Sequence, residues 1–190
     1  MRLTAPIRRC EQCGEPLNIE RVETYPDELL GISRVVLIDA VEKLRCLKCP
    51  DVSFTLIPDL PGLIAAAAVS RATIPVKLTG NDIRFMRKAL SLTAKQLASL
   101  LRVTEEAISR WENGKQPIGP ASETLLRLMV GFRLREKAPG VDFDEDHVAS
   151  MAIPSVQGDS LPVTMTFERV AMKIDKKKEK TWMPEMEVAA

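Results

Sequence analysis

The sequence predicts an α+β protein: a small amino-terminal β module stapled by a metal ion, joined to an all-α domain built around a helix-turn-helix, with a mostly irregular carboxy-terminal tail. Three observations lead there. Two Cys-x-x-Cys knuckles, Cys10 to Cys13 and Cys46 to Cys49, bracket a stretch rich in β-branched residues. From Ile83 to Trp111 the apolar residues recur at helical spacing, broken into three short pieces. From Ala138 the composition shifts to GVDFDEDHVASM followed by Pro154, Gly158 and Pro162, which reads as a linker. The expected divisions are a zinc-binding double Cys-x-x-Cys module at 8–56, a linker helix at 57–74, a helix-turn-helix domain at 75–137 and a partly disordered tail at 138–190.

Each knuckle turns two thiolates toward one point, and two knuckles complete a tetrahedral S₄ site of the structural type, one ion per chain. Zn²⁺ is the expected ion. Iron fits the same ligands, and a redox Cys-x-x-Cys would call for a βαβ unit and for one pair only. No Asp, Glu or His is placed to leave an open coordination position. Between the knuckles, Ile19 to Tyr25 and Ser33 to Leu44 read as strands around a turn at Tyr25-Pro26-Asp27. So small a module buries little apolar area, and metal binding is expected to supply much of its folding free energy.

After Pro58, Asp59 caps an alanine-rich segment, IAAAAVSRA, that serves either as a connector or as an apolar helix packed on the zinc module. Ile74-Pro75 ends it, because proline disfavours helix in the residue before it.

In the helix-turn-helix, Thr93 and Gln96 form a capping box at the start of the second helix. Thr104 caps the third, with Glu105 and Glu106 in its first turn where the helix dipole favours negative charge. Asn113-Gly114 stops it. Two helices of about eight or nine residues joined by a tight turn at Arg102-Val103 lay the second in the major groove. Ile108 and Trp111 face the core; Glu105, Glu106, Ser109 and Arg110 face the groove, while Lys95, Gln96, Thr104 and Lys115 lie where the backbone passes. Arg110 suits guanine and Glu106 can accept from cytosine N4. Beyond the loop 115–120, Ser122 is the expected cap of a helix whose Leu125, Leu126, Leu128, Met129 and Phe132 close the core or a dimer interface.

The formal net charge of +1 hides a segregation. Residues 75–137 hold 12 Lys and Arg against 6 Asp and Glu, so the basic surplus sits where phosphate binding requires it. Val163, Met165 and Phe167 alternate with polar residues as in a strand; the final DKKKEKTWMPEMEVAA reads as disordered. His147, the only histidine, reads as a solvated loop residue. No apolar run is long enough for a membrane span and residues 1–9 hold no signal-peptide core, so a cytoplasmic protein is expected. No nucleophile, base and orienting group assemble, and there is no phosphate-binding Gly-rich loop; the expectation is not an enzyme.

The run Ile108-Ser109-Arg110-Trp111-Glu112-Asn113-Gly114, with Ile83-Arg84, Leu92-Thr93, Gln96-Leu97-Ala98, Leu101 and Val103-Thr104, resembles the lambda-repressor-like Xre or Cro/CI family. Together with the double Cys-x-x-Cys module, residues 8–135 are similar to the MqsA-type antitoxins with a YgiT-type zinc finger. That resemblance implies zinc on Cys10, Cys13, Cys46 and Cys49, and base reading by Arg110. It also implies a homodimer on a palindromic operator in double-stranded DNA, and a ribonuclease toxin bound by the zinc module. A stand-alone zinc-containing regulator without a toxin is the alternative. The chain departs from the family at Glu106, where Asn is common, at Arg102, where Gly is usual, and in the tail after Ala138.

Overall fold

A computed structural model of the chain describes residues 9–27, 31–32, 34–153, 163–174 and 177–188. In order, these form β1 (Asn18–Asp27), β2 (Val35–Arg45), β3 (Ser53–Leu56), α1 (Leu60–Thr73), α2 (Gly80–Ala89), α3 (Ala94–Leu101) and α4 (Glu105–Glu112). There follow α5 (Pro120–Leu134), a 3-10 turn (Arg135–Lys137), α6 (Glu145–Ser150), β4 (Val163–Ile174) and β5 (Lys177–Val188). The class is α+β, as expected. Among the described residues no helix is long and apolar enough to cross a membrane.

β2 is the central strand. One edge carries β1, antiparallel; the other is shared end to end, with β3 antiparallel beside Glu42 to Arg45 and β4 parallel beside Val35 to Ile38. Asp39, in the left-handed region at φ 47°, sits where the β1–β2 register shifts and where the edge changes partner. Tyr25-Pro26-Asp27, expected as a turn, is instead the end of β1, paired with Leu37 to Val35. β1 is an edge strand, where a proline's missing N–H need not face a partner.

The carboxy-terminal segment departs from the irregular tail that composition suggested. Its strand at Val163 is present, but Lys177–Val188, read from its lysines as disordered, is strand β5, paired with β4 from Val163↔Val188 to Ile174↔Lys177. The physical reason lies in three apolar side chains. Met165, Phe167 and Trp182 are fully buried, so ordering this hairpin completes the core. Of the linker expected from Ala138, Glu145–Ser150 is instead helix α6, with Ala138 and Val148 buried, while 154–162 lie outside the described residues, as do Asp175 and Lys176. His147, expected in a loop, is exposed on α6.

α1 is enclosed rather than bridging: Leu63 and Ala65 to Ala72 are buried along it. One apolar core takes Val35, Leu37 and Val41 from β2, then α1, the helix-turn-helix, Met165, Phe167 and Trp182. A second, smaller cluster of Leu17, Leu44, Val52, Cys10 and Cys46, with Cys49 against it, lies at the far end of β2. Asp59 caps α1 as expected, accepting from the Gly62 N–H at 3.1 Å. α5 starts at Pro120 with Gly119 before it, not at a Ser122 cap; proline at the first helical position sacrifices only an N–H that has no intrahelical partner.

The segment 74–79 between α1 and α2 is held by buried ions. Arg71 Nη2 donates to Asp82 Oδ2 at 2.9 Å, and Arg127 Nη2 to Glu123 Oε1 at 2.9 Å. The same two arginines donate to the carbonyls of Ala72, Ile74, Val76 and Lys77, which the break between helices leaves without helical partners. Burial, above all, lowers the pKa of the Arg127 guanidinium, and Glu123 acts against that.

Candidate DNA-binding face and metal centre

α3 and α4 form because their caps and periodicity agree. The Thr93 hydroxyl accepts from Gln96 N–H (3.2 Å) while Gln96 Oε1 accepts from Thr93 N–H (2.8 Å), the expected reciprocal box. The Thr104 hydroxyl accepts from Ala107 N–H at 3.2 Å. Leu97, Ala98, Leu101, Ile108 and Trp111 are buried, which leaves the opposite faces outward. Arg102, joining the two helices, has φ 55° and ψ 44°. That left-handed conformation costs a residue with a Cβ of order 1 kcal/mol. Arg102→Gly should therefore leave urea stability unchanged or raise it, relief of strain offsetting the added freedom of the unfolded chain. A clear loss of stability would mean that the guanidinium makes a contribution of its own.

α4 is fixed at its far end by Glu112. Arg87 reaches its carboxylate with both Nε (2.6 Å) and Nη2 (3.0 Å). Arg84 adds a 3.4 Å contact to the carboxylate and donates to the Glu112 carbonyl and Asn113 Oδ1, both at 3.0 Å. Gly80, at the start of α2, lets this end approach: a Cβ there would lie 2.7 Å from the carbonyl oxygens of Trp111 and Glu112. The clamp was not read from the sequence. Two arginines one turn apart on α2 and a carboxylate in the last turn of α4 were its signal.

All eight expected DNA-facing residues are exposed: Lys95, Gln96, Thr104, Glu105, Glu106, Ser109, Arg110 and Lys115. Glu105, Glu106, Ser109 and Arg110 line one shallow hollow together with Ala94 at the start of α3. Lys95 and Gln96 continue from Ala94; Lys115 lies past the end of α4, its N–H donating to the Arg110 carbonyl at 2.9 Å. The Glu106 carboxyl lies below its usual range, first because it accepts from its own backbone N–H, then from the Thr104 hydroxyl, with Arg110 nearby. Without DNA it therefore serves the helix start. The buried pairs remove charges of both signs, so that eight exposed Lys and Arg face three exposed acids over residues 75–137. The outer surface of this half stays basic.

At the other end of the molecule, the sulfurs of Cys10, Cys13, Cys46 and Cys49 lie within 4.8 Å of one another, with 3.5 Å between Cys13 and Cys46. Four sulfurs about 2.3 Å from a tetrahedral ion would stand about 3.8 Å apart, so the cluster fits one. Each knuckle closes on itself: Gly14 N–H donates to the Cys10 carbonyl (2.9 Å) and Cys49 N–H to Cys46 Sγ (3.3 Å). Burial opposes ionisation of Cys46, but the N–H groups of Lys48 and Cys49 bring its thiol down to about 7. The hydrogen bond with Cys13 and then burial push Cys49 up to about 12. Thiols so close cannot all ionise by themselves; a dication is what permits four thiolates. The donor set is therefore consistent with one zinc ion and leaves no place for a substrate.

Because this small cluster is separate from the main core, Cys46→Ser should release the metal and open only the knuckle end, around Arg9 to Arg21 and Glu42 to Leu56. Amide exchange should stay slow in α1 to α5 and at Leu37. Metal analysis of fresh protein showing neither zinc nor iron would contradict the assignment, as would unchanged exchange at the knuckles.

No curated protein and no solved structure gave a match to the chain. Residues 83–134, from the second turn of α2 to the end of α5, match the helix-turn-helix family model, which supports a DNA-binding transcriptional regulator.

Proposed function

We propose that the chain is a zinc-containing, homodimeric, sequence-specific repressor of transcription that acts in the cytoplasm on a palindromic operator. The observation that carries this is the outward face of α4, where Glu105, Glu106, Ser109 and Arg110 surround one hollow above a helix clamped at Glu112. Arg110 gives a bidentate pair to guanine O6 and N7. Glu106 accepts from cytosine N4 when it leaves its own helix start, and Lys95, Gln96, Thr104 and Lys115 set register on phosphates.

A dimer is supported by α5. Leu125 and Phe132 are 42% and 51% exposed and Leu128 between them is half-buried, so an apolar stripe, met at one end by Phe143 against Phe132, stays partly uncovered along α5. Each α4 reads only a few base pairs, and a two-fold pair supplies the second half-site.

Selection from a random duplex pool at fixed salt tests the reading. Wild type should yield a palindrome with a G and a nearby C in each half. Arg110→Ala should lose about 1–3 kcal/mol and relax one position, whereas Lys115→Ala should weaken all sequences alike. An unchanged consensus with Glu106→Ala removes that residue from the reading set, and no palindrome with wild type overturns the proposal.

The similarity of residues 8–135 to MqsA-type antitoxins supports a finer reading, in which the zinc end neutralises a ribonuclease toxin. Co-purification from the native host in mild salt decides it. A small basic ribonuclease retained by the zinc end favours the antitoxin, and its absence favours the stand-alone regulator.

A further inference from the structure

Between the start of α1, the end of α2 and the turn at Arg135–Lys137 lies a groove of about 230 Å³ that the DNA-facing residues do not use. Its floor is apolar. Leu134 is buried, Ile64 half-buried and Leu60 40% exposed, and proline and alanine complete the wall. Three polar residues line it, Lys88, Ser91 and Lys137, all of them exposed, and no acid does. Asp59, the residue before Leu60, is engaged elsewhere: its carboxylate accepts from the Gly62 N–H at 3.1 Å and from Arg169 Nη1 at 2.9 Å. Among the described residues neither lysine forms an ion pair.

Both lysines close helical segments, where a cation meets the last carbonyls favourably. That accounts for their charge and leaves Ser91 unexplained. The Ser91 N–H donates to the Lys88 carbonyl at 2.8 Å and the Leu92 N–H to the Arg87 carbonyl at 3.0 Å, the paired bonds that end a helix through a left-handed residue. Ser91 is that residue, at φ 57°. Glycine fits such a position freely, whereas the Cβ of a serine is strained there. What the serine adds is a hydroxyl on the groove, and strain held at the surface points to a use.

We propose that this groove binds a small carboxylic acid with an apolar body. The body covers Leu60, Ile64 and Leu134, while the carboxylate meets the ammonium groups of Lys88 and Lys137 and the Ser91 hydroxyl. Lysine stems are flexible, so in a groove this small all three donors reach one anion. Hydrogen bonds from an ammonium to a carboxylate are about twice as strong as neutral ones, which favours the acid over an uncharged molecule of the same shape. The volume falls below the roughly 300–1,000 Å³ of sites for drug-sized ligands, so the body is a short chain or a single ring. The site does not depend on the operator reading. It adjoins the turn of α2 whose Arg87 holds the Glu112 carboxylate and the Leu92 carbonyl, so a ligand here touches the element that fixes α4.

The test titrates octanoate, and separately benzoate, into the full-length, metal-loaded, isotope-labelled protein, with 1-octanol and benzyl alcohol as uncharged controls. One acid or both should give saturable amide shifts at Leu60, Ile64, Lys88, Ser91 and Lys137, and its alcohol should bind about fivefold more weakly or worse. Lys88→Gln/Lys137→Gln should weaken the acid about tenfold and leave the alcohol unchanged, and Lys88→Arg/Lys137→Arg should restore the acid. Ser91→Gly should weaken the acid about threefold while its urea midpoint holds or rises, whereas a serine with only a structural role would leave binding as it was. Absence of saturable shifts at these amides with both acids overturns the proposal. So does equal binding of acid and alcohol, which would mean an apolar surface without an anion site. Unchanged acid binding by the Gln variant removes the lysines from the site, and with them the chemical class assigned to the ligand.

Discussion

Arg127→Ala should lose about 3–5 kcal/mol of unfolding free energy in urea melts, more than any exposed charge on the molecule. Arg127 is fully buried and donates to the carbonyls of Ala72, Ile74 and Val76 at 2.9, 2.8 and 2.6 Å and to Glu123 Oε1 at 2.9 Å. Truncation strands the Ala72 carbonyl and takes one donor each from the Val76 carbonyl, which keeps Arg71 Nη1, from the Ile74 carbonyl, which keeps the Val76 N–H, and from the buried Glu123 carboxylate. The Leu78 N–H at 3.0 Å and the Lys77 ammonium at 2.6 Å remain to Glu123, so its charge is not left bare. Arg127→Met/Glu123→Leu should recover part of the loss, because removing both charges also removes the desolvation that burial imposed on them. The remainder measures the donors lost to the carbonyls together with the Leu78 N–H and Lys77 ammonium that Glu123 no longer accepts, since no apolar side chain replaces either. A single-variant loss below about 1 kcal/mol would mean that water reaches the site and that these ions do not hold α1, α2 and α5 together.

How much of this was legible in the sequence depended on whether the signal was local. The cysteine spacing, the caps at Asp59, Thr93 and Thr104 and the tight turn at Arg102-Val103 are set by residues within a few positions of one another, and the structure has them as read. The Arg127–Glu123 pair is local too, one turn apart on α5, but it reads as an ordinary surface pair until α1 covers it. The start of α5 was displaced because a serine cap was weighed and the proline at Pro120 was not. β3 was missed because the alternation Ser53-Phe54-Thr55-Leu56 runs for only four residues, all of them exposed. The largest departure, β5, has the least local signal of all. Its lysines outweigh one tryptophan in composition, and what orders it is burial against residues more than a hundred positions earlier.

That burial makes Trp182→Ala the second large effect, an expected loss of about 3–5 kcal/mol. The ring is fully buried, its Nε1 donates to the Asp59 carbonyl, and the Arg169 guanidinium lies 5.3 Å from its centroid while Arg169 Nη1 meets Asp59 Oδ2 at 2.9 Å. Asp59 is itself in the left-handed region, at φ 48°, and caps α1. Removing the indole therefore leaves a cavity beside the helix start and frees the residue that sets it. Trp182→Phe separates these effects: it keeps most of the packing and loses the N–H, so about 1 kcal/mol is expected from it. The hairpin and the helices share one core, so the loss in the Ala variant should appear as a single cooperative transition, followed equally by far-ultraviolet dichroism and by Trp111 emission. If the strands were an accessory to a self-sufficient helical domain, Trp111 would instead keep the wild-type midpoint while the sheet signal moved. Removal of residues 154–190 should take the same effect to its limit, uncovering Leu37 beside Phe167 and the start of α1 at Asp59 and giving a protein that binds a hydrophobic dye. A truncated protein with native near-ultraviolet dichroism and unchanged DNA binding would show that the core closes without the hairpin.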